Sequence, residues 1–188
     1  MKKLSLAAVL MILLTTCVSG HEGSIGLYTS EVAADCDYAP AMFEQFDVYV
    51  VYIKSDSGPD GITACEFKLD KSTGAINVVS SAWQQGFVTL GDVESGISVT
   101  TQGCYGSGLA VAPLGTIKMF STTSPLPQAE YIKVVADPFA LEPGIWVSRC
   151  IYPYAIHEVL GGYFKFVKGS CNTSVEPKSW GAIKALID

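Results

Sequence analysis

Ile62-Thr63-Ala64-Cys65-Glu66-Phe67-Lys68-Leu69 is the stretch from which the fold can be read. Cys65, Phe67 and Leu69 share one parity, and Glu66 and Lys68 take the other. A strand turns successive side chains to opposite faces, so this segment reads as a strand with one face in a core and the other toward water. Cys65 then points inward as a small hydrophobe. The segment is entered through the loop Ser55-Asp56-Ser57-Gly58-Pro59-Asp60-Gly61, whose residue types favour turns. Before that loop, Phe46 to Ile53 (FDVYVVYI) is β-branched and aromatic at both parities, as expected of a strand covered on both sides.

The same short apolar segments recur along the chain at Ser24–Thr29, Ile76–Val79, Phe87–Leu90, Ile97–Thr101, Thr116–Ser121, Tyr131–Ala136, Ile145–Ile151 and Tyr163–Val167. Gly, Pro, Asp and Ser separate them, and no long amphipathic helix intervenes. This pattern predicts an all-β fold, an antiparallel β-sandwich of Ig-like or fibronectin-like appearance. Only the tail departs from it. Trp180, Ile183 and Ile187 recur at helical spacing behind Ser179, which predicts a short C-terminal helix over residues 178–187.

The N-terminus reads as an export signal. Lys2 and Lys3 precede an apolar run from Leu4 to Leu14, and small residues follow to Gly20, so residues 1–20 are expected to be a signal peptide. The run is too short to span a bilayer. Residues 21–188 then form a single domain starting at His21. An alternative places a lipid on Cys17, since Leu14-Thr15-Thr16-Cys17 resembles a lipobox. Loss of Lys2 and Lys3 takes the formal charge from −6 to −8. With Arg149 as the sole arginine, this acidity argues against nucleic acid or anionic lipid as a partner.

Without Cys17 an odd number of cysteines remains, in a compartment that oxidises thiols. The parity argument makes Cys65 the unpaired one. Cys36, Cys104, Cys150 and Cys171 lie beside turn residues and are expected to form disulfides, with Cys150–Cys171 and Cys36–Cys104 the favoured pairing of three possible ones. No C-x-x-C pair suggests zinc.

Gly61-Ile62-Thr63-Ala64-Cys65-Glu66-Phe67 and Glu176-Pro177-Lys178-Ser179-Trp180-Gly181-Ala182-Ile183-Lys184-Ala185-Leu186 also carry a resemblance. With Ile25-Gly26-Leu27-Tyr28 and Gly161-Gly162-Tyr163, they are similar to an uncharacterised family of exported bacterial β-rich proteins. That family has an I-G-x-Y opening strand, a G-I-T-x-x-E-F strand and a W-x-x-[IV]-K-x-L tail. The resemblance implies export and a β-rich fold. It implies no activity, and an aliphatic residue or alanine usually stands where this chain has Cys65.

Chemistry is sparse. No Gly-x-Ser-x-Gly elbow occurs, and the aspartates at 35, 37, 56 and 60 fit turn roles rather than a calcium loop. The expected function is a secreted, non-enzymatic binding or structural domain, whose partner is an extracellular protein or a glycan. Two alternatives stand beside it. A copper-dependent oxidase could use the amine and imidazole of His21 with His157 as metal ligands. A carbohydrate-binding module could stack sugar rings on Trp83, Trp146, Tyr105 or Tyr152, with Trp83 before Gln84-Gln85-Gly86 the best candidate for exposure. An exposed row of aromatics would favour glycan, and a flat apolar patch would favour protein.

Overall fold

A computed structural model describes residues 22–169 apart from 57, 125, 127–129, 141 and 151–153. The expected signal segment with Cys17, His21, Tyr152, Cys171 and the expected tail helix lie outside the described residues. Within them the chain is all-β: β1 (Gly23–Tyr28), β2 (Gln45–Lys54), β3 (Ile62–Lys71), β4 (Ile76–Trp83), β5 (Phe87–Asp92), β6 (Gly96–Tyr105), β7 (Val111–Ser121), β8 (Tyr131–Val135), β9 (Ile145–Arg149), β10 (Ile156–Gly161) and β11 (Tyr163–Lys165).

Two layers face each other. One runs β4-β7-β2-β1 and the other β5-β6-β3-β9-β10, while β8 continues the edge of β3 beyond β9 and carries β11. The alternation in Ile62–Leu69 holds as written, with Cys65, Phe67 and Leu69 buried between the layers. Val48, Val50 and Tyr52 of β2 enter the same core. Val51 faces the other way and is buried with Tyr28 and Cys36, so β2 is covered on both sides over this stretch.

One side of the sandwich is closed. β10 pairs with β9 through Ile156–Val159, then crosses to β1 through Leu160 and Gly161. The β1–β10 pair is parallel, which corrects the expectation of a purely antiparallel fold. Its direction is set by the antiparallel return from β9. The handover needs glycine. Gly162 donates to the Ile25 carbonyl at 2.9 Å and accepts from the Val134 amide at 3.0 Å. A Cβ at Gly162 would lie 2.9 Å from the Gly26 Cα. On the opposite side, between β4 and β5, no strand among the described residues bridges the layers. Trp83, Phe87 and Tyr105 pack there against the core, with Phe87 and Tyr105 edge to face at 4.7 Å.

The disulfides differ from expectation. Cys104 and Cys150 are bonded to each other, with Cα atoms 5.0 Å apart. That rules out both Cys150–Cys171 and Cys36–Cys104. The physical reason is a bulge. Ile62 pairs with Tyr105 on one edge and Arg149 on the other, and Thr101–Cys104 loop out opposite Thr63. At that point β3 has just begun, and the ends of its two neighbours meet over Gly61. Cys36 is disulfide-bonded as well. Cys65 is the free, buried thiol that its parity predicts.

Candidate functional site

The outer face of the β5-β6-β3-β9-β10 layer is built by the parity opposite to the core. Its register is continuous across all five strands. One row runs Val88, Thr100, Ala64, Ser148, Ile156; the next runs Leu90, Ser98, Glu66, Trp146, Glu158. Residues directly opposite on antiparallel strands share a face, so each row is one line of side chains. The middle of the face is short and hydroxylated. The β5 flank is apolar, with Val88 and Leu90 exposed, and the β10 flank sets exposed Ile156 beside Glu158.

A groove of about 220 Å³ lies in this surface, lined among others by Ala64, Glu66, Ser98, Thr100, Trp146 and Ile156. Its features are fixed. The Trp146 Nε1 donates to the Glu142 carbonyl at 3.0 Å, which holds the indole in place. Ser98 Oγ donates to Glu66 Oε1 at 2.7 Å. Thr63 Oγ1 lies 3.3 Å from Ser148 Oγ. The two rows contain Glu66 and Glu158 and neither Lys nor Arg, while Lys68 follows Glu66 on the same parity of β3.

Cys65 borders the groove, but its thiol is turned into the core. Burial, and then the negative charge of Glu66, push its thiol from an ordinary 9.0 up to about 12. Burial alone pushes Tyr52 up to about 12. Both groups are harder to ionise folded than unfolded, so the folded state holds more protons above their unfolded values. Stability therefore falls as pH rises through the window from about 9 to 12. Urea midpoints measured across this window should decline, and Cys65→Ala should flatten the lower part of the decline. An unchanged slope in Cys65→Ala would show that the thiol is not desolvated.

The residues singled out from sequence are scattered. His157 lies on the inward parity of β10, beside core residue Val159, with its side chain only 15% exposed. Its Nδ1 is in contact with the Glu22 carboxylate, and its buried Nε2 has no hydrogen-bond partner among the described residues. Among the described residues no three His, Cys, Asp or Glu side chains converge as metal ligands. Trp83 ends β4 and packs edge-on to Phe67 at 6.2 Å, partly buried against the core. It is not on the outer face, where Trp146 is the one aromatic in the two rows. From the sequence, Trp83 ranks above Trp146 as the exposed aromatic; the structure reverses that order, and the parity of Trp146 against Ile145 and Val147 carries the information.

No protein-family model matches this chain, and no curated protein matches it. Solved structures do. The cohesin module of a family 33 glycoside hydrolase from Clostridium perfringens superposes with a TM-score of 0.56 at 9% identity, covering 78% of this chain and 96% of that one. The fold is a cohesin-like β-sandwich. A non-cellulosomal cohesin from Archaeoglobus fulgidus is similar at TM-score 0.50 and 14% identity, over 79% of this chain and 94% of its own. The CaDoc0917–CaCohA2 complex contains a chain similar at TM-score 0.50 and 8% identity, over 77% and 99%. At these identities the cohesin likeness describes architecture. Among the described residues no helix is long and apolar enough to cross a membrane.

Proposed function

We propose that this chain is an exported protein-binding module that docks a folded partner on the outer face of β5, β6, β3, β9 and β10. The observation that carries the reading is the pair of continuous rows across five strands, with a grooved, hydroxyl-lined centre between exposed Val88 and Leu90 on one flank and Ile156 on the other. Protein interfaces place an aromatic or aliphatic anchor in a well-packed pocket and surround it with polar contacts. Trp146 and Ile156 beside the groove supply that anchor. A single aromatic in the rows makes a poor stacking track for a glycan. Two comparisons support the same reading. The similar Clostridium perfringens module belongs to a larger glycoside hydrolase, and the similar CaCohA2 is held in a complex.

A photo-crosslinking residue at Ile156 tests it, with one at Lys118 on the opposite layer as control. Exposed to the secreted proteins of the producing cells, the Ile156 variant should give a discrete protein adduct and the Lys118 variant none. Trp146→Ala should weaken binding to that partner by about 30-fold, equivalent to about 2 kcal/mol, while leaving the urea midpoint unchanged. Equal adducts from both layers, or none from either, would remove the docking face. Retention on a glycan array that depends on Trp146 would redirect the site to carbohydrate.

A further inference from the structure

We propose that β5 is a self-pairing edge, through which two copies of this chain join β5 to β5 in antiparallel register and merge their outer layers into one sheet. Among the described residues β5 is hydrogen-bonded to β6 alone, and none of them forms a strand along its other side, which presents backbone N–H and C=O groups. Such an edge is a template for another strand, and natural proteins blunt it with lysine, proline or a bulge. β4, the other strand bordering the open side, follows that rule. Its pairing with β7 slips between Val78 and Ser80, and exposed Val79 is thrown out of register.

β5 has none of these devices. Phe87-Val88-Thr89-Leu90-Gly91-Asp92 keeps an unbroken register with β6 and contains no Lys, Arg or Pro. Val88 is 60% exposed and Leu90 78% exposed.

The strand is also complementary to itself, and this selects a second copy as the occupant. A two-fold axis through Thr89, perpendicular to the sheet, sets Val88 opposite Leu90 of the other copy and Leu90 opposite its Val88. Residues opposite on antiparallel strands share a face, and Val88 and Leu90 share the outer face of β5, so four apolar side chains meet there. The strand's one charge, Asp92, falls opposite Gly86 rather than another acid. A slip by one residue would turn the apolar pair of one copy against the inner face of the other, so the register is specified. The merged sheet runs β10-β9-β3-β6-β5 and then the same strands in reverse order. Two strands joined edge to edge bury less than the roughly 1,600 Å² of a stable interface, which makes this a weak, concentration-dependent dimer. Each copy is acidic, so screening by salt strengthens it.

The inference does not need the docking role, because self-association is read with no partner present. Sedimentation velocity of the purified protein at rising concentration in high salt should show a monomer–dimer equilibrium. Amide hydrogen exchange over residues 87–91 should slow as the dimer fills. Leu90→Lys should weaken the dimer by at least about tenfold. Val88→Lys should repeat that effect, and Val79→Lys on β4 should leave it unchanged. Circular dichroism should report the same fold in all three, since each site is solvent-exposed. A monomer at every concentration overturns the proposal. So does a dimer indifferent to Leu90→Lys, or one that protects other amides. Protection of β5 only on adding a foreign extended peptide would assign the edge to a partner's strand and equally overturn self-pairing.

Discussion

Replacing Cys104 and Cys150 together with serine should lower the stability of the folded protein by about 4 kcal/mol, read from urea unfolding as a lower midpoint with a steeper slope, since the unbridged chain unfolds to a more open state. The bridge spans 46 residues of sequence, and closing a loop of that length restricts the unfolded chain by about that amount. The double variant is the right comparison, because a single replacement leaves a thiol free to exchange. The bridge also explains the residue beneath it. Gly61 sits at φ +86°, and a Cβ there would lie 2.5 Å from the Cys104 Sγ and 2.9 Å from the Tyr105 carbonyl oxygen. Gly61→Ala should therefore destabilise by about 1–2 kcal/mol from backbone strain, plus the steric clash with sulfur. The clash part should shrink when Cys104 and Cys150 are serines, so the two changes are less than additive. A non-reducing peptide map that joins Cys104 to any residue but Cys150 would refute the topology at this end of the sandwich.

The contrast between Cys65 and Cys150 shows what the sequence can carry. Cys65 sits in regular alternation, where parity alone decides which side of a sheet a residue faces, and it is the buried free thiol. Cys104 and Cys150 sit at strand ends beside a bulge, where pairing depends on which strands flank β3. Local pattern holds no record of that. β7 shows a related limit. Its apolar run Thr116–Ser121 is legible, but the strand begins at Val111, hidden by Pro113 and Gly115. The structure accommodates that proline at a second irregularity, where the register between β2 and β7 shifts at Val50/Val51. A proline inside a sheet is expected at such a place, yet its sequence alone reads as a break.

β10 was hidden for a different reason. Tyr154-Ala155-Ile156-His157-Glu158-Val159 reads as an exposed loop or strand edge because His157 and Glu158 interrupt the apolar residues. His157 nevertheless faces inward against Glu22, and the strand carries the closure of the whole sandwich. The docking face is the mirror of the core in the same alternation. Glu66, Ser98, Ser148 and Trp146 could each be assigned outward by parity. Only the register of four neighbouring strands shows that they form continuous rows.

Phe67→Ala should be the most damaging single substitution of a core side chain on β3, at about 3–5 kcal/mol. Phe67 is fully buried, pairs with Ile97 across to β6, and receives the edge of Trp83 from the opposite layer. It thus joins the layer that carries the outer face to the strand that borders the open side. Removing the ring leaves a cavity that rigid strands on both sides cannot collapse into, and it frees Trp83 from its packed position. Near-ultraviolet circular dichroism should lose the tryptophan signal in proportion, while Phe67→Leu, which keeps most of the volume, should cost about 1.5 kcal/mol or less. Leu90→Ala provides the counterpart. It removes an apolar side chain of comparable character from the outer face and should change stability by no more than about 0.5 kcal/mol. If the two alanine variants lost similar stability, Phe67 and Leu90 would both be structural, and the division of this layer into a packed inner face and an available outer one would not stand.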